Sequence, residues 1–500
     1  MEVLYERGAG VLCHISSLPN KYGIGSLGKE AYEFADMLKR AKVKYWQILP
    51  PVQTGFGDSP YQSVYCNSGN PYFIDLEGLR EEGLLDDEEL QSAEMPQGAV
   101  DYEKLYNTRF NVLRVAYARF NVKNKEFTAF VDGGEFDDYS LFMSLKTRYG
   151  GSFDTFPDSY KFREKLAMLE FRRSVQKSDY LFWQFVQFIF AKQWKKLKDY
   201  VNSLGIKIIG DIPLYVAYDS ADVWGHPELF KLDENLKPTA VAGVPPDYFS
   251  EKGQLWGNPL YDWDAMSASN YEWWIRRIEA AGRQFDIIRI DHFRGLDRYY
   301  AIPAGNQTAE EGEWLPGPGM RLFNEIKRRL GDVEMIAEDL GEMDAGVLRL
   351  RERTGFPGMK ILQFAFDGND DNPYLPRNIE ENSVVYTGTH DNDTTLGLLK
   401  EMSEAEFASF KKLLRAELHG KGIELPFASR EEASLALMIC ALSTDARIAV
   451  IPVQDLMTLD GASRMNVPSV PQGNWQYRMS AFPSRRDWAV LRKSIEKFNR

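Results

Sequence analysis

The 500-residue sequence predicts an α/β protein built as one (β/α)₈ TIM barrel with large inserted subdomains in the loops after strands 2 and 3. Eight short apolar runs each end in polar or turn residues, as expected of parallel strands buried on both faces. Helical patterns lie between most of these runs, which indicates strand–helix alternation. Several runs end in carboxylates, at the edge where barrel enzymes hold their active sites. An open doubly wound sheet is the structural alternative.

The eight strands follow one another from near the amino terminus to the last sixth of the chain. We predict them at 10–15, 45–49, 207–211, 285–291, 334–338, 359–364, 383–388 and 447–452. Helices are predicted between them at 29–41, 181–204, 271–281 and 319–330.

Two long intervals interrupt this alternation. The interval 50–206 follows the second strand, and we predict a mostly helical inserted subdomain at about 80–200. The interval after the third strand, rich in Pro, Gly, Tyr and Trp, predicts an active-site loop insertion at about 212–284. Because no repeat, linker or low-complexity tract divides the chain, we predict a single catalytic domain over 1–500.

Composition excludes several function classes. The formal net charge is −13, which argues against nucleic-acid and anionic-membrane partners. The three scattered cysteines, Cys13, Cys66 and Cys440, cannot form a disulfide framework and fit a reducing cytosol. The first residues lack a basic region followed by an apolar stretch, and the best membrane candidate, 180–191, is too short to span a bilayer. We therefore expect a soluble cytoplasmic protein, and nothing in the sequence identifies a protein partner.

Aromatic residues make up 13% of the chain, including 11 Trp and 25 Tyr. Some of these rings must build the core. Flat rings with polar tips also stack on the apolar faces of sugars and bond their hydroxyls, so the surplus is compatible with a carbohydrate cleft.

The fourth predicted strand ends in a carboxylate. Asp291 closes an apolar run, and Arg289 stands two residues earlier, on the same face of the strand. An arginine beside a carboxylate keeps it ionised and orients it, as a nucleophilic carboxylate requires. A buried ion pair that only stabilises the barrel end is the alternative. We also assign His292, the next residue, to substrate binding.

The fifth predicted strand ends in Glu338 and Asp339, one βα unit after Asp291. Two carboxyl groups facing one cleft, only one of them beside an arginine, are suited to cleaving a glycosidic bond. One attacks as the nucleophile, and the other, with a raised pKa, donates a proton to the leaving oxygen. Taken alone, Glu338 could instead cap the following helix.

The seventh predicted strand leads into His390 and Asp391, surrounded by small residues that allow a ligand to approach closely. A metal site is the alternative for this segment. The chain has five histidines, none in the i, i+4 spacing of a helical zinc pair: His14, His226, His292, His390 and His419. We therefore expect no metal and no cofactor, and a chelator should leave activity unchanged.

The third predicted strand ends in Asp211, and an aromatic, proline-stiffened loop follows at 244–259. Such a loop can cover a cleft, exclude water and hold a sugar chain, although it could also be a packed loop without a catalytic part. From this loop we assign to substrate binding Asp247, Tyr248, Phe249, Trp256, Asn258 and Pro259.

These strand ends, in this order, resemble the α-amylase clan and, within it, the 4-α-glucanotransferases of glycoside hydrolase family 77, also called amylomaltases or disproportionating enzymes. The resemblance covers nearly the whole chain, from residue 8 to about residue 480. It is carried by Gly210-Asp-Ile-Pro, Arg289-Ile-Asp-His-Phe-Arg, Ala337-Glu-Asp-Leu-Gly, Gly388-Thr-His-Asp-Asn-Asp, His14-Ile-Ser-Ser-Leu-Pro, Asp58-Ser-Pro-Tyr-Gln-Ser and Trp256-Gly-Asn-Pro.

The resemblance implies that Asp291 is the nucleophile, Glu338 the acid/base and Asp391 the transition-state stabiliser. It also implies a covering flap with Trp256, and sugar contacts in the cleaved position from Arg289, His390, Tyr61 and Asp211.

The implied reaction is transfer of α-1,4-glucan segments to the 4-hydroxyl of an acceptor by a retaining double displacement, with cyclic glucans an open product class. Expected substrates are maltooligosaccharides, amylose, and starch or glycogen fragments, with glucose as an acceptor. Three alternatives stay open: a plain α-glucan hydrolase, a non-catalytic glucan-binding protein, and a metal-dependent barrel hydrolase.

Overall fold

The computed structural model describes residues 5–55, 57–246, 251–341, 343–470 and 472–500. Within these residues the chain forms twelve strands, eight of which close into a parallel barrel. The strands are β1 (Gly8–Leu12), β2 (Tyr45–Gln47), β3 (Lys207–Ile212), β4 (Ala240–Val244), β5 (Gln254–Pro259), β6 (Ile287–Ile290), β7 (Arg298–Pro303), β8 (Glu313–Pro316), β9 (Met335–Ala337), β10 (Gly358–Ile361), β11 (Ser383–Tyr386) and β12 (Ile448–Pro452).

The barrel confirms the predicted fold class. Its strands neighbour one another in the order β1-β12-β11-β10-β9-β6-β3-β2, and β2 pairs with β1 to close the ring. All eight predicted strands are present within a few residues of their predicted ends, which excludes the open doubly wound sheet. Nearly all their residues are buried, because neighbouring side chains fill the barrel on one face and helices cover the other.

Nineteen α-helices are present in the described part of the chain, where no helix is long and apolar enough to cross a membrane. They are α1 (Lys29–Arg40), α2 (Leu76–Glu81), α3 (Asp87–Ser92), α4 (Tyr102–Arg119), α5 (Lys125–Asp132), α6 (Asp137–Tyr149), α7 (Asp158–Lys161), α8 (Lys165–Val175), α9 (Leu181–Ser203), α10 (Ala221–Gly225), α11 (Trp263–Ala268), α12 (Glu272–Gln284), α13 (Met320–Leu330), α14 (Ala345–Thr354), α15 (Thr395–Glu401), α16 (Glu404–Gly420), α17 (Arg430–Ser443), α18 (Val453–Leu456) and α19 (Arg485–Lys497).

Helix α9 shows how the interval between β2 and β3 is built. Its first half, 182–190, is mostly apolar and buried on all sides, whereas its second half buries only one face. It contacts α1, α12 and β3, so it lies on the barrel itself, while α2–α8 precede it in the chain. The division into a catalytic domain with an inserted helical subdomain stays a prediction.

A second sheet stands beside the barrel and was not predicted. Four antiparallel strands form it in the order β5-β4-β7-β8. Strands β4 and β5 belong to the long segment after β3, whereas β7 and β8 follow β6. The sequence analysis predicted a loop insertion over 212–284 and no strand at 298–316, because these strands are short and contain Gly or end in Pro. The pairing of β4 with β7 also joins segments far apart in the chain. The sheet carries the aromatic loop, since Trp256 lies in β5.

Candidate active site

The predicted site residues converge at the carboxyl end of the barrel. Parallel strands present all their carboxyl ends at one rim, so residues distant in sequence meet there. Asp211 lies within β3 and Arg289 within β6, whereas other site residues follow β2, β6, β9 and β11, namely Tyr61, Asp291, Glu338, His390 and Asp391.

Strand register explains why Asp211 and Arg289 meet. The two residues are direct partners across β3 and β6, so their side chains point to the same face. Arg289 Nη1 donates to both Asp211 oxygens, at 2.8 and 2.7 Å, and to Asp291 Oδ1 at 3.0 Å. The arginine is only 2% exposed. Burial alone would lower its pKa, but the two carboxylates raise that pKa well above its ordinary value, so Arg289 is charged.

Register also brings Asp291 next to Glu338. Ile290 and Ala337 are partners across β6 and β9, and the residues that follow them leave adjacent strands at the same level. The Glu338 backbone N–H donates to the Ile290 carbonyl at 3.1 Å, which continues the hydrogen bonding between β6 and β9 by one residue. The two carboxyl groups therefore emerge side by side at the rim of the barrel.

Glu338 accepts two backbone hydrogen bonds. Its Oε2 accepts from the His292 N–H at 2.7 Å and its Oε1 from the Leu340 N–H at 2.9 Å. The His292 backbone lies in the left-handed region, with φ of 51°, and in this conformation its N–H reaches the carboxylate. Left-handed backbone is uncommon outside glycine and often marks functional sites. The two bonds fix the direction of the Glu338 carboxyl group.

The two neighbouring carboxyls differ in environment. Burial raises the pKa of both Asp291 and Glu338, and their mutual repulsion further raises that of Asp291. Because the two groups repel each other when both are charged, the protonation of one depends on that of the other. Arg289 bonds Asp291 directly, whereas no cationic side chain in the described part of the chain forms an ion pair with Glu338. From this direct contact we expect the negative charge on Asp291 and the proton on Glu338.

Tyr61 and His390 form a stacked pair beside this network. Their rings lie 5.3 Å apart at an interplanar angle of 11°. The Tyr61 hydroxyl donates to Asp211 Oδ2 at 2.8 Å and lies 2.9 Å from His390 Nε2. Burial lowers the pKa of His390, which is therefore neutral at pH 7. Because the Tyr61 proton is committed to Asp211, the His390 proton lies on Nε2 and points to the Tyr61 oxygen.

Asp391 is held by a segment that the sequence analysis missed. The Asn466 side-chain amide donates to Asp391 Oδ1 at 2.6 Å, and its backbone N–H donates to the His390 carbonyl at 3.1 Å. Arg464 Nη2 donates to the Asp391 carbonyl at 2.7 Å. Neither residue ends a strand, and only the path of the chain after α18 brings them to the rim. No local sequence signal could have identified them.

We expect Asn466→Ala to lower kcat/KM by about 10- to 100-fold for the glucan transfer that the sequence resemblance implies, the value of one hydrogen bond to a charged acceptor. Without the amide, Asp391 loses the donor that orients one carboxylate oxygen. The measurement is initial-rate kinetics with maltotriose. The control is Asn474→Ala, because Asn474 bonds backbone carbonyls within the same segment. Equal losses of kcat/KM in both variants would mean that Asn466 only orders the chain segment after α18.

The aromatic loop covers His292. The Trp256 ring meets the His292 ring edge-on, with centroids 4.7 Å apart, and its Nε1 donates to the Gln254 side chain at 3.1 Å. Burial lowers the pKa of His292 to about 3, so the imidazole is neutral. Trp256 itself is partly exposed and is available to a ligand.

The other substrate contacts predicted in this loop are either buried or lie outside the described residues. Asn258 is buried, and its amide donates to the Val216 carbonyl at 2.8 Å and exchanges hydrogen bonds with Gln62. This arrangement anchors the loop, and substrate contacts from Asn258 and the buried Pro259 stay a prediction. The predicted contacts Asp247, Tyr248 and Phe249 lie outside the described residues.

No metal-binding cluster is found in the ranges that the structure describes, where His, Cys, Asp and Glu side chains nowhere group in threes suited to an ion. The expectation of metal-independent chemistry therefore stays a prediction. The arrangement itself offers Asp291 bonded to Arg289, Glu338 after the adjacent strand, and a third carboxyl group, Asp391, at the same rim. Such a set can support a double displacement at an acetal carbon.

Comparison with known proteins gives consistent matches over nearly the whole chain. A family model described as 4-alpha-glucanotransferase matches residues 13–483. The chain is 46% identical to a 4-alpha-glucanotransferase of Clostridium butyricum, over 93% of this chain and 95% of the relative. It is also 46% identical to one of Thermus thermophilus, over 95% of each. An amylomaltase from Streptococcus agalactiae, solved in complex with acarbose, aligns with a TM-score of 0.93 and 38% identity, covering 99% of this chain and 100% of that one.

Proposed function

The chain belongs to the 4-alpha-glucanotransferase family, glycoside hydrolase family 77, and we propose that it transfers α-1,4-glucan segments by a retaining double displacement through a covalent glucosyl-enzyme. Family membership supports the glucan-transferring activity itself. The single observation that supports the mechanism is the pair Asp291 and Glu338, adjacent at the barrel rim, of which only Asp291 forms an ion pair with Arg289.

In the first step the Asp291 carboxylate attacks the anomeric carbon of the donor glucan. Glu338 gives its proton to the glycosidic oxygen, the bond between that oxygen and the anomeric carbon breaks, and one glucan fragment leaves. The product is a glucosyl ester of Asp291. Arg289, held by Asp211, keeps Asp291 ionised and oriented for this attack.

In the second step the ester is resolved by an acceptor. Glu338, now a carboxylate, takes the proton from the 4-hydroxyl of a glucan or of glucose, and that oxygen attacks the anomeric carbon as the bond to Asp291 breaks. Two displacements restore the original anomeric configuration. An acceptor oxygen within the same glucan chain would give a cyclic product by the same chemistry.

Asp391 stabilises the oxocarbenium-like transition state through bonds to the hydroxyls of the distorted sugar, which strengthen as charge develops. Its orientation by Asn466 and Arg464 supports this role, since preorganised groups need no rearrangement during the reaction. His390 and Tyr61 contribute a neutral, stacked surface for the same sugar.

We propose α-1,4-glucans and glucose as the ligands, with neither nucleic acid nor membrane as a partner, in keeping with the net charge of −13. A cytoplasmic location is supported by three free cysteines, Cys13, Cys66 and Cys440, which fit a reducing compartment.

Incubation with maltotriose tests the proposal. We expect a ladder of longer glucans together with released glucose, and no net gain in reducing ends. A net gain in reducing ends equal to the glucose released would identify a hydrolase instead. A repeat in the presence of a chelator should give the same ladder, and loss of the ladder would favour the metal-dependent alternative.

The Trp256 flap is proposed to favour sugar acceptors over water. We expect Trp256→Ala to raise the ratio of hydrolysis to transfer on the order of tenfold, the effect of about 1.4 kcal/mol of acceptor binding. The ratio is measured from reducing ends and product sizes in one reaction. Leu255→Ala is the matched control, since Leu255 precedes Trp256 on β5 and is 38% exposed. An unchanged ratio in Trp256→Ala would count against the flap.

A further inference from the structure

Trp475 has an unusual backbone for a large residue. Its φ is +65°, in the left-handed region that bulky side chains rarely adopt, and the residue is only 7% exposed. Two hydrogen bonds hold this conformation. The Trp475 N–H donates to the Met465 carbonyl at 2.8 Å, and the Trp475 carbonyl accepts from the Tyr102 hydroxyl at 2.8 Å. Strained backbone that is held from both sides is often part of a functional site.

The Trp475 ring touches both members of the stacked pair. Its centroid lies 5.7 Å from that of Tyr61 and 6.0 Å from that of His390, at interplanar angles of 42° and 41°. These distances and tilts are those of favourable aromatic contacts. The three rings therefore form one cluster, which we call the aromatic triad.

The aromatic triad is connected to the reacting groups by hydrogen bonds. Tyr61 donates to Asp211, Asp211 binds Arg289, and Arg289 binds Asp291. On the other side, His390 Nε2 lies 3.3 Å from Asp391 Oδ2. A shift of the Tyr61 or His390 ring would thus be transmitted to both the proposed nucleophile and the proposed stabiliser.

We propose that Trp475 is a positioning residue for the transfer reaction, whose ring holds Tyr61 and His390 in the orientation that aligns Asp291 and Asp391. The inference rests on the proposed function. It also explains the left-handed backbone, because this conformation at residue 475 directs the ring toward Tyr61 and His390. Without the ring, Tyr61 and His390 would border a void and could rotate away from their partners.

Two substitutions separate the role of the ring from that of the turn. Trp475→Gly favours the left-handed backbone and removes the ring, whereas Trp475→Phe keeps an aromatic ring. We expect Trp475→Gly to lower kcat with maltotriose about 30- to 100-fold with KM changed less than about threefold, as for an ångström-scale misplacement of reacting groups. We expect Trp475→Phe to recover most of kcat. Full activity in Trp475→Gly, or equal loss in Trp475→Phe, would overturn the proposal.

A second measurement does not depend on activity. The chain has five histidines, so their ring resonances can be followed singly by NMR as the pH is changed. Burial lowers the pKa of His390, and loss of the Trp475 ring admits water, so Trp475→Gly should raise that pKa. An unchanged His390 titration would overturn the inference. Absence of transfer by the wild-type protein would instead refute the proposed function, and the titration would still decide the role of Trp475.

The control for general destabilisation is Trp194→Leu. Trp194 is similarly buried but lies on α9, where it packs against Phe190 and Phe285. We expect this variant to unfold at a lower temperature than wild type and to keep kcat within about twofold, since no reacting group moves. A loss of kcat matching that of Trp475→Gly would mean that any buried tryptophan produces the effect, and would overturn the assignment.

Discussion

Asp291→Asn should reduce kcat for glucan transfer by at least about 10⁴-fold, because the amide cannot attack the anomeric carbon and nothing replaces the nucleophile. The substitution keeps the shape of the side chain and an oxygen that can accept from Arg289. Initial rates with maltotriose, measured at high enzyme concentration, give the residual activity. Activity within about tenfold of wild type would exclude Asp291 as the nucleophile.

The fold should survive this change. Burial raises the pKa of Asp291, so the charged form is disfavoured in the folded protein, and stability falls as the pH rises through that pKa. Replacement by a neutral amide removes this penalty while Arg289 keeps its two bonds to Asp211. We therefore expect a thermal unfolding midpoint at neutral pH no lower than that of wild type. A large drop would mean that Asp291 serves mainly as a structural ion pair.

Asp286→Asn is the matched control, because Asp286 immediately precedes β6 and Asp291 immediately follows it. Asp286 Oδ2 accepts from the Ile208 N–H at 2.7 Å and from the Asn202 side chain at 2.8 Å. Asp286 lies at the amino end of the barrel strands, where side chains contribute to stability and not to the active site. We expect stability to fall and kcat to stay within about twofold of wild type.

The barrel could be predicted because its strands obey a local rule. Runs such as 335–337 and 448–451 are continuously apolar, since both faces of a parallel strand are buried. Because barrel enzymes hold their active sites at the carboxyl ends of the strands, Asp291 and Glu338 could be predicted as candidate site residues from the sequence. Arg289 followed from the two-residue period of a strand.

The rest of the site depends on contacts that no local pattern encodes. Asn466 and Arg464 lie in irregular chain after α18, and their role is visible only once that segment is folded over Asp391. Trp475 is similar, since its left-handed backbone depends on bonds to Met465 and Tyr102. The second sheet joins strands from two separate loops, so its pairing could not be read from either loop alone.

The environments of the two adjacent carboxyls bear on the proposed roles of Asp291 as nucleophile and Glu338 as acid. Burial raises the pKa of each group and the charge of Arg289 lowers both, so the two groups differ mainly in their direct hydrogen-bond partners. Asp291 has a cation at 3.0 Å, whereas Glu338 has two neutral backbone donors. A cation in direct contact favours the charged form more strongly than neutral donors do, and for this reason we propose that the proton lies on Glu338.

Glu338→Gln tests that assignment. We expect kcat with maltotriose to fall about 10³- to 10⁴-fold, because the leaving oxygen is no longer protonated.

In the wild type, activity should rise with pH as Asp291 ionises and fall as Glu338 loses its proton. Since burial raises the pKa of Glu338, that fall should come above the ordinary range of carboxyl groups. The variant should lose the falling limb. If the limb persists at its original pH, another group is the acid.

Activated donors distinguish the acid/base from the nucleophile. Fluoride leaves without protonation, so Glu338→Gln should still react with α-maltosyl fluoride and accumulate the ester on Asp291. Azide, which needs no general base, should then attack from the face left by the donor and give α-maltosyl azide, with retention. In Asp291→Ala, azide should instead occupy the place of the carboxylate and give β-maltosyl azide, with inversion. The anomer formed by each variant is read by NMR, and the same anomer from both would contradict the double displacement.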